Sequence, residues 1–226
     1  MIGAIGGLLE AHLQRVQNAG DGNLTTSEWK VLIHSTIDSL TASARLHASC
    51  SSVNAEVVNA IVSVLAKKEE LHTCIPSLLD AIVFVTKNSG RTAAFLSEIT
   101  NGNFDRFMSR SLQAYPERAF ALFELVCEHT KELSKSMGNS LDTFLSLLTE
   151  TDMRNEVLQM VSRFQNKIDE ETLAHLLEEQ QLLHKLLRLI TERVEVYLCL
   201  RIMTLVCRRL LNTYPCYFGV VISLLR

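Results

Sequence analysis

The chain has 226 residues, of which 47% are hydrophobic and 21% are charged, so it can bury a large core. Its formal net charge of −3 argues against a dedicated nucleic-acid binder, which usually carries a strong basic excess. Only nine glycines and three prolines occur, which argues against long low-complexity stretches.

Helices are predicted along the whole chain, because apolar residues recur at helical spacing and no run shows the alternation typical of strands. The second helix begins at Thr25 or Thr26, since Thr25 and Glu28 have the spacing of a capping box. Residues 169–212 contain no glycine or proline, and we expect a break near Thr191 that gives two antiparallel helices. The other predicted helices cover residues 2–18, 53–66, 76–86, 91–100, 104–113, 116–136, 140–149, 152–166 and 215–226.

Neither a membrane span nor a signal peptide is predicted. The most apolar stretch, residues 194–211, is interrupted by Glu195, Arg201, Arg208 and Arg209, whereas a spanning helix needs about 20 mostly apolar residues. The apolar N-terminal segment lacks the basic residues that begin a signal peptide. The six cysteines include no C-x-x-C pair, which favours reduced thiols and an intracellular location, cytoplasmic or nuclear.

A short sequence that contains proline is repeated within the chain, and we call this internal repeat the sequence echo. The segment 112–116, Leu-Gln-Ala-Tyr-Pro, is matched by 211–215, Leu-Asn-Thr-Tyr-Pro, and Pro76 begins a looser third copy. Pro76 and Pro116 lie 40 residues apart, and Pro116 and Pro215 lie 99 apart, close to two units of about 50.

This pattern resembles the armadillo/HEAT superfamily, whose units are two or three helices over roughly 40 to 47 residues. The resemblance covers the chain from about Asn54 onward and implies an irregular α-solenoid of about ten to twelve helices. An irregular helical bundle is the alternative. We predict one all-helical domain over 1–226, with 1–50 as an N-terminal helical cap and 54–226 as the repeat-like array.

Calcium binding is not predicted for the one segment that resembles an EF-hand loop. Residues 17–28 match that loop at positions 5, 6, 8 and 12, but positions 1 and 3 are Gln17 and Ala19, where calcium needs oxygen ligands that are usually carboxylates. We therefore expect no binding in the micromolar range.

Catalytic and metal-binding motifs are not found in the sequence, so we predict no enzyme, no cofactor and no metal site. The seven histidines form no H-E-x-x-H motif, and the helical spacing of Glu171 with His175 more often gives a surface charge pair. Cys127 and His129 point about 200° apart on a helix, so they cannot act together as nucleophile and base. Cys127 is instead expected in the core.

Charge is unevenly distributed in the C-terminal third. Residues 150–181 carry eight acidic and three basic side chains, and residues 182–226 carry two acidic and seven basic ones. Either the opposite charges of neighbouring helices pair, or the basic residues form a ridge for an acidic peptide, a nucleic-acid backbone or an anionic membrane surface. Arg188, Arg201 and Arg208 would share a face of that ridge if their helix is continuous.

The function that these features favour is a non-catalytic protein-interaction scaffold or adaptor with a helical groove, whose protein partner the sequence does not identify. The candidate contacts are Arg118, Glu124, Arg188, Arg201, Arg208, Leu224 and Leu225. The alternatives are an obligate subunit or fragment of a larger helical-repeat protein, with self-association through the apolar C-terminal helix, and a weak nucleic-acid or anionic-surface binder through the basic C-terminal third.

Overall fold

The computed structural model of the chain describes residues 2–19, 24–45, 51–88, 92–100, 102–129, 153–178 and 182–213. Every regular element in these ranges is a helix, which confirms the all-α fold class. None of these helices is both long and apolar enough to cross a bilayer. The chain divides into two compact units, Met1–Thr130 and Lys131–Arg226. One domain can contain two compact units. The single domain over 1–226, with an N-terminal helical cap over 1–50, therefore stays a prediction.

The described residues of the first unit form seven α-helices and one 3-10 helix. They are α1 Ile2–Ala19, α2 Thr26–Arg45, α3 Ser51–Lys67, the 3-10 helix Glu69–Cys74, α4 Ile75–Asn88, α5 Thr92–Ile99, α6 Gly102–Ala114 and α7 Pro116–His129. The starts agree with the predicted ones within two residues. The predicted extension of the last helix to about residue 136 lies outside the described residues.

The start of α2 confirms the predicted capping box. The Thr25 backbone N–H donates to Glu28 Oε2 at 2.8 Å, and the Glu28 N–H donates to Thr25 Oγ1 at 3.3 Å. Each side chain thereby satisfies a backbone donor that the helix itself leaves unpaired. The inner face of α2 is apolar and places one buried residue in each successive turn: Trp29, Ile33, Ile37, Leu40 and Ala44.

The helices of the first unit contact one another along two rows. Contacts join α1 to α2, α3 to α4 and α6 to α7, and they also join successive pairs. One row runs through α1, α3 and α6, and the other runs through α2, α4 and α7. Helix α5 contacts α3, α4 and α7. Pro76 and Pro116, the prolines of the sequence echo, lie in the first turns of α4 and α7 and therefore in the same row.

The second unit contains α8 Arg154–Phe164, the 3-10 helix Gln165–Lys167, α9 Glu170–Glu178, α10 Leu182–Thr191 and α11 Val196–Thr213. Helix α11 contacts α8, α9 and α10. The predicted break near Thr191 is confirmed, whereas the boundary after Glu178 was not predicted. The predicted helices over 140–149 and 215–226 lie outside the described residues.

Candidate protein-interaction surface

Three of the predicted contact residues have partners within their own unit. Arg118 of α7 donates to Asp80 of α4 at 2.9 Å, so this ion pair joins neighbouring helices of one row. Glu124 is partly buried on α7 and has a partner of its own. Arg188 pairs with Glu192 one turn later at 2.8 Å. Leu224 and Leu225, the remaining apolar candidates, lie outside the described residues.

The condition for a three-arginine ridge is not met. Arg188 lies on α10, which ends at Thr191, and α11 begins at Val196 after a turn. Arg201 and Arg208 are both on α11, seven residues apart, and both are exposed. Seven residues are close to two helical turns, so these two arginines share one face.

That face of α11 also carries two exposed apolar side chains. Tyr197 is 79% exposed and Leu200 is 49% exposed. Their spacing from Arg201, Thr204 and Arg208 is that of one helical stripe. We call these five residues the α11 face. The opposite side of α11 is buried through Cys199, Ile202, Met203 and Val206. Sequence reasoning missed Tyr197 and Leu200 because they lie within an apolar stretch that reads as core.

The electrostatics of the α11 face are positive. Helix α11 carries three arginines and no acidic residue. Arg209 is engaged with backbone carbonyls, since its guanidinium donates to Gln165 O and, at 2.6 Å, to Ile168 O. Arg201 and Arg208 have no ion-pair partner among the residues that the structure describes. Two arginine charges therefore face solvent next to Tyr197 and Leu200.

A strained turn leads into this face. The Arg193 N–H donates to Ile190 O at 3.0 Å, and the Val194 N–H donates to Leu189 O at 2.8 Å, which together form a Schellman motif. Its left-handed position is usually glycine but is here Arg193, with φ 58°, and Glu195 follows with φ 44°. Backbone strain of this kind is concentrated at functional sites.

The described cysteine thiols lack the features of a nucleophile. Cys127 is fully buried in the core, as predicted, while Glu128 and His129 are exposed. Burial raises the pKa of Cys199 and that of Cys74, whose Sγ lies 3.8 Å from His34 Nε2. A buried thiol with a raised pKa is mostly protonated at neutral pH and reacts slowly.

The residues that resemble an EF-hand loop are used for helix formation. Gln17 and Ala19 belong to α1, and the Glu28 carboxylate accepts the capping bonds from Thr25. These bonds lower the pKa of Glu28. No group of three or more His, Cys, Asp or Glu side chains is placed to hold a metal ion in the described ranges. The absence of micromolar calcium binding stays a prediction.

No protein-family model, no curated protein and no solved structure matches this chain. The resemblance to the armadillo/HEAT superfamily therefore stays a prediction from the sequence echo.

Proposed function

We propose that the chain is a non-catalytic helical-repeat protein that binds an acidic protein partner on the α11 face. The single observation that carries this proposal is the exposure of Tyr197 and Leu200 on one helix with Arg201 and Arg208, which have no ion-pair partner among the described residues. Aromatic and arginine side chains contribute most to binding at protein interfaces, and exposed apolar groups are the surface that a partner buries. Positive charge around them favours an acidic partner.

The repeat architecture is supported by the sequence distance over which side chains bond. In the first unit, Asn59 bonds Glu98, Asn103 bonds Ser63 and Arg118 bonds Asp80, across 39, 40 and 38 residues. In the second unit, Arg209 bonds Gln165 and Ile168 across 44 and 41 residues. Bonds between units of about 40 residues that contact only their neighbours have this separation.

The test compares two leucines of nearly equal exposure. Leu200 on the α11 face is 49% exposed and Leu8 on α1 is 51% exposed, so Leu200→Ser and Leu8→Ser remove similar apolar surface. The tagged full chain and both variants are recovered from cells, and bound proteins are quantified by mass spectrometry. We expect a stoichiometric protein that Leu200→Ser reduces about tenfold or more and that Leu8→Ser retains. Equal recovery on both variants contradicts the proposal.

Nucleic-acid binding is distinguished by its dependence on charge and salt. A nucleic acid would be held by Arg201 and Arg208, so its affinity would fall steeply between about 50 and 200 mM salt. Replacing Leu200 by serine would leave that affinity nearly unchanged. A protein partner depends on Leu200 and Tyr197 as well, and it persists at moderate salt.

A further inference from the structure

Helices α1, α2 and α3 of the first unit border a cleft of about 510 Å³. That volume lies in the range of small-molecule sites in proteins. Val16, Ala60 and Val64 form apolar parts of its lining, and Trp29, Asn59 and Lys68 are among its polar residues. The cleft belongs to a different unit from the α11 face, so an inference about it stands independently of the proposed function.

Two buried polar atoms of this lining have no hydrogen-bond partner among the described residues. Trp29 is 1% exposed, and its indole Nε1–H is unpaired. The Asn59 side-chain amide donates from Nδ2 to Glu98 O at 3.0 Å, while its Oδ1 is buried and unpaired. Leaving a buried donor and a buried acceptor unpaired costs folding free energy, so the cleft favours an occupant that satisfies both.

We propose that this cleft binds a small molecule with an amide edge, such as a primary carboxamide or a lactam. The ligand carbonyl accepts from Trp29 Nε1–H, and the ligand N–H donates to Asn59 Oδ1. Lys68 places its ammonium nitrogen 5.6 Å from the centre of the Trp29 ring and adds a second donor for the carbonyl oxygen. The apolar lining residues contact the body of the ligand.

The other common polar groups fit less well. A carboxylate satisfies the Trp29 and Lys68 donors but has no hydrogen for Asn59 Oδ1, and two acceptors in contact repel each other. A hydroxyl has one hydrogen and a weaker acceptor than an amide carbonyl. Both unpaired atoms are shielded from solvent, so binding requires the side chains that cover them to move.

The single tryptophan gives a direct measurement, since a ¹⁵N–¹H spectrum of the full chain contains one indole N–H signal. Isobutyramide is titrated, with isobutyrate and isobutanol as probes of similar shape. We expect isobutyramide to shift the indole signal saturably, with a Kd on the order of 1–10 mM for so small a ligand. Isobutyrate and isobutanol should bind at least about fivefold more weakly. A linear shift up to about 100 mM, or equal responses to the three probes, overturns the proposal.

Matched asparagine variants test the acceptor. Asn59→Leu removes Oδ1 from the cleft together with one bond to a backbone carbonyl. Asn88→Leu also removes one bond from an asparagine Nδ2 to a backbone carbonyl, Phe84 O at 2.8 Å one turn earlier in α4, on a residue that is not part of the cleft lining. We expect about tenfold weaker isobutyramide binding for Asn59→Leu and unchanged binding for Asn88→Leu.

Undiminished binding by a folded Asn59→Leu overturns the proposal. A crystal soaked with isobutyramide that shows only water on the two atoms also overturns it. If Asn59→Leu does not fold, the three-probe comparison on the natural chain decides.

Discussion

In each unit, an arginine on one helix bonds backbone carbonyls at the end of another helix. The two pairs of helices are α3 with α6 in the first unit and α8 with α11 in the second. Arg110 of α6 donates to Leu65 O at 3.0 Å and to Ala66 O at 3.1 Å near the end of α3. Arg209 of α11 donates to Gln165 O and Ile168 O just after α8. Carbonyls at a helix end have no partner within the helix, and both arginines satisfy them from about 40 residues away.

The two arginines also occupy the same place in the sequence echo. Arg110 and Arg209 each lie two residues before the leucine of that echo and six before its proline, so the echo extends to Arg-x-Leu-x-x-Tyr-Pro. In the same register, Phe104 and Phe107 of α6 correspond to Met203 and Val206 of α11, and all four are buried. The two segments related by the echo therefore share buried residues at matching positions and an arginine that bonds backbone carbonyls.

The residues of the first unit that correspond to the α11 face are of different types. In the register of the echo, Tyr197 corresponds to Glu98, Leu200 to Asn101 and Arg201 to Gly102. Glu98 is exposed, and its backbone carbonyl accepts the Asn59 bond. The first unit has polar or small residues where the second has apolar and basic ones.

Removing either arginine should cause the largest loss of stability. Arg110→Met and Arg209→Met keep the apolar stem but leave helix-end carbonyls unpaired, so each should lower the free energy of unfolding by about 1.5–3 kcal/mol. Urea unfolding followed by circular dichroism measures the change. The ion pair of Arg110 with Glu69 adds little to this figure, because the Glu69 side chain is 86% exposed.

Exposed arginines on the same two helices are the matched controls. Arg106→Met on α6 and Arg208→Met on α11 should change stability by no more than about 0.5 kcal/mol. If only one of Arg110 and Arg209 matters, the two helix contacts are not equivalent and the repeat comparison fails.

Local chemistry explains which features the sequence could predict. The capping box of Thr25 and Glu28 and the stripe from Trp29 to Ala44 depend on residues within a few turns, and both are confirmed. The break near Thr191 follows from the length of the uninterrupted pattern. The arginine bonds were not predicted, because their partners lie 41 to 45 residues away and are backbone carbonyls without a sequence signature.

The exposure of the α11 face could not be predicted from the sequence for a different reason. Tyr197 and Leu200 belong to an apolar stretch in which several residues are buried, and hydrophobicity alone does not say which side of a helix contacts its neighbours. The proposed cleft depends on helices α1, α2 and α3 coming together, so it also required the tertiary structure.

The helix starts of the two units offer the next test. Thr25 caps α2, whereas α8 begins after Met153, which makes no side-chain cap bond. Thr25→Ala should cost about 1 kcal/mol. Met153→Thr would give α8 the spacing of a capping box with Glu156 and should stabilise the second unit by about 0.5–1 kcal/mol. Urea unfolding measures both changes, and a loss with Met153→Thr would show that the methionine side chain matters more than the missing cap.

Acid titration checks that the cap of α2 acts through the Glu28 carboxylate. Its hydrogen bonds with Thr25 lower the pKa of Glu28 below its ordinary value near 4.5. The unfolded chain therefore takes up the proton first, and the stabilisation is complete above about pH 4.5 and is lost as the pH falls through the lower, folded pKa. Thr25→Ala keeps the backbone N–H that is the larger cause, so only the part of the stabilisation that the Thr25 hydroxyl bond to Glu28 contributes should disappear from the difference between the two chains over that range.

The smallest expected effect is a gain from relieving the turn before α11. Arg193 adopts φ 58° where glycine is preferred, so Arg193→Gly should raise the free energy of unfolding by about 0.5–1 kcal/mol. Arg201→Gly, in the interior of α11, is the opposite control and should lower it by a similar amount. In the first unit, glycines mark the sequence near several helix ends, at positions 20, 22, 90 and 102, whereas the second unit makes this turn with Arg193 and Glu195.

If Arg193→Gly stabilises the protein while weakening partner recovery, the left-handed arginine is retained for binding, and Arg193 belongs with the α11 face. If it stabilises the protein and leaves recovery unchanged, the strain is a by-product of a helix break made without glycine, and the binding surface is limited to α11 itself.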